Sequence, residues 1–114
     1  MHLTVYILLW YNIRNKLKKG DDYLKLDLAA LKEILNYCAV PEDMYSLTGG
    51  LPSETYCIDC NHDCWEVFYS ERGNKNEITR FDNEAEACAE LLTRILNDSF
   101  YRSNRSDLLK RKRE

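Results

Sequence analysis

Apolar residues recur every three or four positions in three segments of the chain, residues 1–20, 27–38 and 83–98. This spacing places them on one face of an α-helix, so each segment is predicted to be a helix. Asp27 and Asn83 stand at the starts of the second and third segments, where a short polar side chain can cap free backbone N–H groups. The first segment also contains β-branched residues that favour a strand. Basic residues in its last turn and a glycine just beyond it favour the helix.

The region between the second and third helices, residues 45–81, alternates apolar and polar residues and is broken by turn-forming residues. Alternation of this kind is typical of half-buried β-strands. Four strands are predicted, at Tyr45–Leu47, Thr55–Asp59, Cys64–Ser70 and Glu77–Phe81. The sequence therefore predicts an α+β fold, in which a small antiparallel meander of three to four strands forms a single layer of sheet packed against helices.

The length of 114 residues suits one domain with its own hydrophobic core. Residues 1–98 are predicted to form this single α+β domain. Residues 99–114 are basic and rich in serine and asparagine, and are predicted to be a frayed tail. The predicted core combines three aromatic residues of the sheet with four aliphatic residues of the helices: Tyr56, Trp65, Tyr69, Leu31, Leu35, Leu91 and Ile95.

The pairing of the two central strands determines which side chains share a face. If Asp59 pairs with Cys64 across a four-residue turn, one face is wholly apolar, and a one-residue slip would mix polar residues into it. That apolar face carries Tyr56, Ile58, Trp65, Val67 and Tyr69, and the other carries Cys57, Asp59, Cys64, Glu66 and Phe68. A second turn is predicted at residues 72–75, with Gly73 adopting a positive φ angle.

Two features of the sequence bear on location. The apolar run from Leu3 to Ile13 has no basic region before it and no small-residue cleavage site after it, and it is shorter than the roughly 20 residues of a membrane span. Five cysteines are an odd number, which does not suit a disulfide framework. The chain is therefore expected in the cytoplasm, where thiols stay reduced.

Charge is distributed unevenly along the chain. Residues 21–98 contain 17 acidic and six basic residues, a net charge of −11, whereas both ends are basic and bring the total to −3. An acidic surface of this kind attracts basic partners and repels nucleic acid, so neither a nucleic-acid nor a membrane partner is expected. The alternative is that the acidic residues serve only solubility.

The stretch YCIDCNHDCW, residues 56–65, places Cys57, Cys60, His62 and Cys64 within eight positions. All four are zinc-ligand types, and a small zinc-binding adaptor module built on them is the alternative function. Structural zinc sites usually draw ligand pairs from separate elements, whereas these four lie in one hairpin. Neither a metal nor a cofactor is therefore predicted, and small buried or half-exposed thiols are expected instead.

Catalytic patterns are weak in this sequence. A nucleophilic cysteine needs a base, and the chain has only His2 and His62. A thioredoxin-like Cys-x-x-Cys motif opens a helix, whereas this one enters a hairpin turn. The chain has no phosphate-binding glycine loop and no His-x-x-x-His pair, so it is not expected to be an enzyme.

From Tyr45 onward the chain contains four segments of a familiar pattern: YSLTGG, ETYCI, CWEVFYSERGNK and RFDNEAEAC. Together they resemble a family of small bacterial immunity proteins that accompany polymorphic toxins, including those of contact-dependent growth inhibition systems. The matching positions are Tyr45, Gly49, Gly50, Tyr56, Cys57, Trp65, Tyr69, Glu71, Arg72, Gly73, Phe81, Glu84, Ala87 and Cys88. The N-terminal third and the basic C-terminal segment lie outside the resemblance.

The resemblance implies a function without catalysis: binding a cognate toxin C-terminal domain and blocking its active site. The charge pattern agrees with this expectation, because many such toxins are nucleases with basic substrate clefts. An acidic inhibitor can occupy such a cleft with fast, electrostatically steered association.

The predicted partner surface is the face of the sheet that carries acidic residues and one exposed aromatic ring. Such a ring could serve as an apolar anchor beside the carboxylates, with two further acids at the rim. The predicted contact residues are Asp59, Asp63, Glu66, Phe68 and Glu77. The alternative is that a helix covers this face and leaves Phe68 in the core. The next candidate is then the acidic start of the last helix, around Glu84 and Glu86.

Overall fold

The computed structural model describes residues 26–62 and 64–113. Its elements, in chain order, are helix α1 (Leu28–Tyr37), a short 3-10 helix (Glu42–Met44), strands β1 (Tyr45–Ser46), β2 (Thr55–Asn61), β3 (Cys64–Glu71) and β4 (Asn74–Phe81), and helices α2 (Glu84–Leu96) and α3 (Ser99–Arg113). The predicted α+β class with a single sheet is confirmed. The helix predicted at residues 1–20 lies outside the described ranges. Over those ranges, no helix combines the length and apolar character that a membrane span requires.

Helices α1 and α2 begin at the caps that the sequence predicts. The side chains of Asp27 and Asn83 each accept a hydrogen bond of 2.8 Å from the backbone N–H three residues further on. A cap of this type contributes about 1 kcal/mol to stability. The carboxylate of Glu84 in addition accepts the N–H of Leu28 at 2.8 Å, which joins the N-terminal ends of the two helices.

The strand order in the sheet is β1-β2-β3-β4, and the two hairpins β2–β3 and β3–β4 are antiparallel. Strand β1 instead runs parallel to β2, pairing Tyr45 with Tyr56 and Ser46 with Cys57. The prediction of a purely antiparallel meander is therefore wrong at this edge. In the loop between β1 and β2, Gly49 and Gly50 adopt positive φ angles of 73° and 82°. After this loop the chain enters β2, which lies beside β1 and runs in the same direction.

The central hairpin is tighter than predicted. Asn61 pairs with Cys64 across a two-residue turn, so Asp59 lies opposite Glu66 and not opposite Cys64. The pairing is shifted by two residues from the predicted one, and an even shift keeps every side chain on its predicted face. One face of the hairpin, carrying Tyr56, Ile58, Trp65, Val67 and Tyr69, is called the helix face below. The other, carrying Cys57, Asp59, Cys64, Glu66, Phe68 and Ser70, is called the opposite face.

The second hairpin also closes with two residues. Glu71 pairs with Asn74, and Arg72 and Gly73 between them have φ angles of 54° and 79°. Positive φ angles at both central positions are typical of the type I′ turn, whose twist matches that of the flanking strands. The predicted positive φ at Gly73 is confirmed, whereas the same conformation at Arg72 and the shorter turn were not predicted.

The hydrophobic core lies between the helix face and the helices. It includes Ile58 and Val67 of the sheet together with Leu31, Leu35, Leu91, Leu92, Ile95 and Tyr101 of the helices. The four predicted aliphatic core residues are fully buried, as expected. The three predicted aromatic residues are only half-buried, and Trp65 lies near the end of the sheet as the second residue of β3.

The C-terminal segment is helix α3, and the prediction of a frayed tail is wrong for residues 99–113. Tyr101 is fully buried, and its hydroxyl donates a hydrogen bond of 2.6 Å to the carbonyl oxygen of Cys38. Asp98 caps the helix by accepting the N–H of Tyr101 at 3.0 Å, and it also accepts the hydroxyl of Tyr56 at 2.7 Å. These long-range contacts attach an otherwise polar helix to the domain.

Candidate functional site

The five residues predicted to contact a partner do not form one exposed surface. Phe68 is 0% exposed and Glu66 is 6% exposed, so neither is open to a partner. Asp59 is half-buried, Glu77 is exposed, and Asp63 lies outside the described residues. The prediction of Phe68 as an exposed anchor is therefore wrong, and the burial that the alternative required is observed. The ring lies in the middle of a central strand, with Cys57 as its cross-strand neighbour.

Glu66 is a neutralised carboxylate. Its two oxygens accept hydrogen bonds of 3.0 Å each from Lys75 Nζ and Arg80 Nε of the neighbouring strand β4. The hydrogen bond from Lys75 is the main cause that lowers the pKa of Glu66, Arg80 adds to it, and burial opposes both. A carboxylate that is held in this way stabilises the sheet and has little charge left for a partner.

Lys75 has a second contact on the same face. Its ammonium nitrogen lies 4.7 Å from the centroid of the Phe68 ring, within the range of a cation–π interaction. The side chains of Lys75 and Arg80 were not singled out from the sequence. The register of the second hairpin could have identified Arg80 as a partner of Glu66, because the two residues pair directly across β3 and β4.

Asp59 is held against the loop that precedes β2. A Cβ atom built on Gly49 would lie 2.5 Å from the Asp59 Cγ atom, a distance that no real side chain tolerates. A side chain at this position would force the Asp59 carboxylate to move, and the positive φ angle of 73° favours glycine independently. Asp59 is packed against the protein itself, which leaves only part of its carboxylate for a partner.

Of the four predicted contact residues that the structure describes, Glu77 is the exposed one. It has a φ angle of 53° and lies where the pairing of β3 with β4 shifts between Val67 and Tyr69. A β-bulge of this kind re-aims side chains and is often found beside functional surfaces. The exposed Ile78 follows it in the chain.

The cysteine-rich stretch is divided between the two faces of the hairpin. Cys57 and Cys64 belong to the opposite face, whereas Cys60 pairs with Trp65 on the helix face. Cys57 is fully buried, while Cys60 and His62 are exposed. In the part of the chain that the structure describes, no three His, Cys, Asp or Glu residues are grouped so that they could hold a metal ion. The zinc-binding alternative therefore has no assembled ligand set among these residues.

The buried thiols are also poor nucleophiles. Burial raises the pKa of Cys38 and of Cys57 to about 11 and that of Cys88 to about 12. Because the thiolate is the reactive form, these three cysteines stay protonated and unreactive at neutral pH. Their role is packing, since Cys38 and Cys88 belong to the hydrophobic core.

Negative charge is left over across the surface of the domain. Four of the five basic residues in the described part of residues 26–98 form ion pairs, with Glu42, Glu66 and Glu90 as their partners. The same part of the chain contains 14 acidic residues, and the other eleven form no ion pair. The surface formed by residues 26–98 is therefore strongly negative. The basic residues of α3 form a separate surface at the end of the chain.

Comparison of the chain with protein-family models, with curated proteins and with solved structures gives no match. The positions that resemble immunity proteins lie largely in the scaffold of this fold. Tyr45, Cys57, Ala87 and Cys88 are buried, and Gly73 forms the tight turn of the second hairpin. The resemblance therefore concerns residues that build the domain, and a partner surface has to be sought among exposed residues.

Proposed function

We propose that this protein is an immunity protein, which binds a cognate toxin domain in the cytoplasm and neutralises it by stoichiometric occlusion without catalysis. The observation that carries the proposal is the excess of unpaired carboxylates on residues 26–98. A surface of one sign attracts a partner of the opposite sign and speeds its association. The sequence resemblance supports the same function.

The partner best suited to this surface is a basic domain, such as a nuclease with a cationic substrate cleft. An acidic protein can fill such a cleft and exclude the anionic substrate in the same step. The unpaired acids are distributed over several elements, including Glu33 in α1, Glu77 in β4 and Glu86 in α2. Glu84, the other residue of the second predicted surface, is engaged by the N–H of Leu28.

Co-expression with the toxin domain encoded beside this chain tests the proposal. We expect a one-to-one complex that survives size-exclusion chromatography, together with rescue of growth when the toxin domain is expressed. A basic nuclease domain from an unrelated locus serves as the control and should be neither bound nor neutralised. If the neighbouring domain forms no complex and its toxicity is unchanged, the proposed function is wrong.

The rate of association provides a second readout of the same proposal. Raising the salt concentration should slow the association of the two proteins, because it screens the charges that steer their encounter. The dissociation rate should change much less. An association rate that is independent of salt would show that the acidic surface does not guide the partner.

A further inference from the structure

Two tyrosines form a half-exposed aromatic pair at the end of the sheet that carries the Arg72–Gly73 turn. Tyr56 and Tyr69 are cross-strand neighbours, and their rings meet edge to face with centroids 4.9 Å apart at an angle of 61°. The hydroxyl of Tyr56 donates to Asp98 at 2.7 Å, and the same carboxylate caps helix α3. The pair is thus held in a defined position by both the sheet and the start of a helix.

The negative charges of three carboxylates act on the Tyr69 hydroxyl. Thr55 pairs with Ser70; Glu71 follows Ser70 as the last residue of β3, and Glu54 precedes β2 with a φ angle of 47°. Burial raises the pKa of Tyr69, and the negative charges of Glu54, Glu71 and Asp98 raise it further. None of these three acids forms an ion pair in residues 26–62 and 64–113. The Tyr69 hydroxyl therefore experiences the negative charge of three acids, of which Asp98 also accepts two hydrogen bonds.

An exposed aromatic ring starts the adjoining helix. Phe100 is 57% exposed and follows Asp98 by two residues, in a helix whose other apolar residues, Tyr101, Leu108 and Leu109, pack toward the core. The Phe100 ring does not belong to the hydrophobic core. Exposed aromatic side chains of this size are enriched at protein interfaces. Glu54, Tyr56, Tyr69 and Glu71 are called the tyrosine surface below.

We propose that the tyrosine surface is the docking site for the basic protein partner, with a lysine or arginine side chain of that partner lying against the Tyr69 ring between Glu54 and Glu71. A cation is attracted by the face of an aromatic ring, and flanking carboxylates supply charge-assisted hydrogen bonds. Tyrosine is enriched among the residues that dominate binding energy. The inference rests on the proposed function for the identity of the partner.

Several other carboxylates are less available to a partner, because they are buried or already engaged within the protein. Glu66 is buried and neutralised, and Glu84 already accepts a backbone N–H group. Asp27 caps α1, and Asp59 is packed against Gly49. Within residues 26–62 and 64–113, the tyrosine surface combines carboxylates that form no ion pair with two aromatic rings that are held together by cross-strand pairing.

A titration with a ten-residue polyarginine peptide, followed by nuclear magnetic resonance of the full chain, tests this location without the toxin. We expect the largest shifts of backbone amide signals at Tyr56, Tyr69 and Glu71, and we expect these shifts to fade as salt is raised. The proposal is overturned if the largest shifts occur around the start of α2, near Glu86, or if they are spread evenly over all acidic residues.

Charge reversal provides the matched test with the partner. The variant Glu54→Lys/Glu71→Lys should bind both the peptide and the toxin domain about tenfold more weakly, because it places like charges opposite each other. The control variant Glu33→Lys/Glu86→Lys makes the same change of net charge on the exposed faces of α1 and α2. It should slow long-range association to a similar extent but weaken binding much less than the Glu54/Glu71 variant, because it leaves the docking contacts intact. Circular dichroism verifies that both variants are folded.

The two proposals fail in different ways. If the unchanged protein binds its neighbouring toxin domain and both double variants bind that domain equally well, the tyrosine surface is not the docking site, but the immunity function stands. If the toxin domain is not bound at all while the peptide still maps to the tyrosine surface and the Glu54/Glu71 variant weakens its binding much more than the control variant does, the surface is a site for cationic chains and the immunity function is wrong.

Discussion

The helix face and the opposite face of the central hairpin are both buried, but by different means. On the helix face Ile58 and Val67 lie in an apolar core formed with α1 and α2. On the opposite face Phe68 is equally buried, yet beside it lies the carboxylate of Glu66 with two cations from β4. The first face is held mainly by apolar contacts, with the hydrogen bond from Tyr56 to Asp98 as its main polar contact, whereas the second depends on charged groups that must stay paired.

This difference shows why alternation alone misplaced the partner surface. A polar residue in every second position predicts an exposed face, because an unpaired charge is costly to bury. Strand β4 removes that cost by placing Lys75 and Arg80 beside Glu66. The opposite face is therefore expected to respond to pH and to charge substitutions, and the helix face to changes in side-chain volume.

The largest effect should come from the ring buried on the opposite face. Phe68→Ala removes a fully buried ring and should lower the free energy of unfolding by about 3–5 kcal/mol, measured by urea denaturation. Trp65→Ala on the helix face is the control and should cost less, because Trp65 is only half-buried. A larger loss for Trp65 than for Phe68 would contradict the full burial of Phe68.

Glu66→Gln should lower the free energy of unfolding by about 1–3 kcal/mol at pH 7, because it removes the charge that pairs with Lys75 and Arg80. The pKa of Glu66 is lowered in the folded state, so its contribution is present above the unfolded pKa of about 4.3 and is lost as the pH falls through the folded value.

The free energies of unfolding of Glu66→Gln and of the unchanged protein should therefore become equal as the pH is lowered. Unfolding curves of Glu66→Gln and of the unchanged protein, recorded from pH 7 downward, measure this convergence. Glu33→Gln, at an exposed position of α1, is the control and should leave the free energy of unfolding at pH 7 nearly unchanged. A constant gap between Glu66→Gln and the unchanged protein at all pH values would mean that the ion pairs do not stabilise the sheet.

Tyr56→Phe tests the main polar contact of the helix face. It removes the hydrogen bond to Asp98 and should lower the free energy of unfolding by about 1 kcal/mol. Because Asp98 also caps α3, hydrogen exchange of the Tyr101 amide should become faster in this variant. Unchanged exchange at Tyr101 would show that the cap holds without Tyr56.

The smallest effect should have the opposite sign. The hydroxyl of Ser70 is buried on the opposite face and has no hydrogen-bond partner in the described structure. Ser70→Ala removes this group and should raise the free energy of unfolding by up to about 1 kcal/mol. Ser103→Ala, on the exposed surface of α3, is the control and should leave stability unchanged. A loss of stability in Ser70→Ala would show that the hydroxyl is hydrogen-bonded.

Two kinds of feature were predicted well from the sequence. The first depends on residues close together in the chain, and the second depends only on whether a strand position is odd or even. The capping residues Asp27 and Asn83 accept hydrogen bonds from N–H groups only three residues away, so the local sequence is enough to predict these caps. The faces of the hairpin were assigned correctly although the predicted pairing was two residues off, because an even shift leaves the alternation intact. Of the five predicted contact residues, the structure leaves Glu77 exposed and buries Glu66 and Phe68.

The sequence by itself determined where α1 and α2 begin, which side chains of the hairpin share a face, and how acidic the body of the protein is, since each depends on residues close together or on composition. Only the tertiary structure decided that β1 runs parallel to β2 and that residues 99–113 form a helix. Helix α3 has few apolar residues of its own, and the buried hydrogen bond from Tyr101 reaches a carbonyl 63 residues earlier in the chain. No local pattern carries that information, because the contact exists only once the core has brought both segments together.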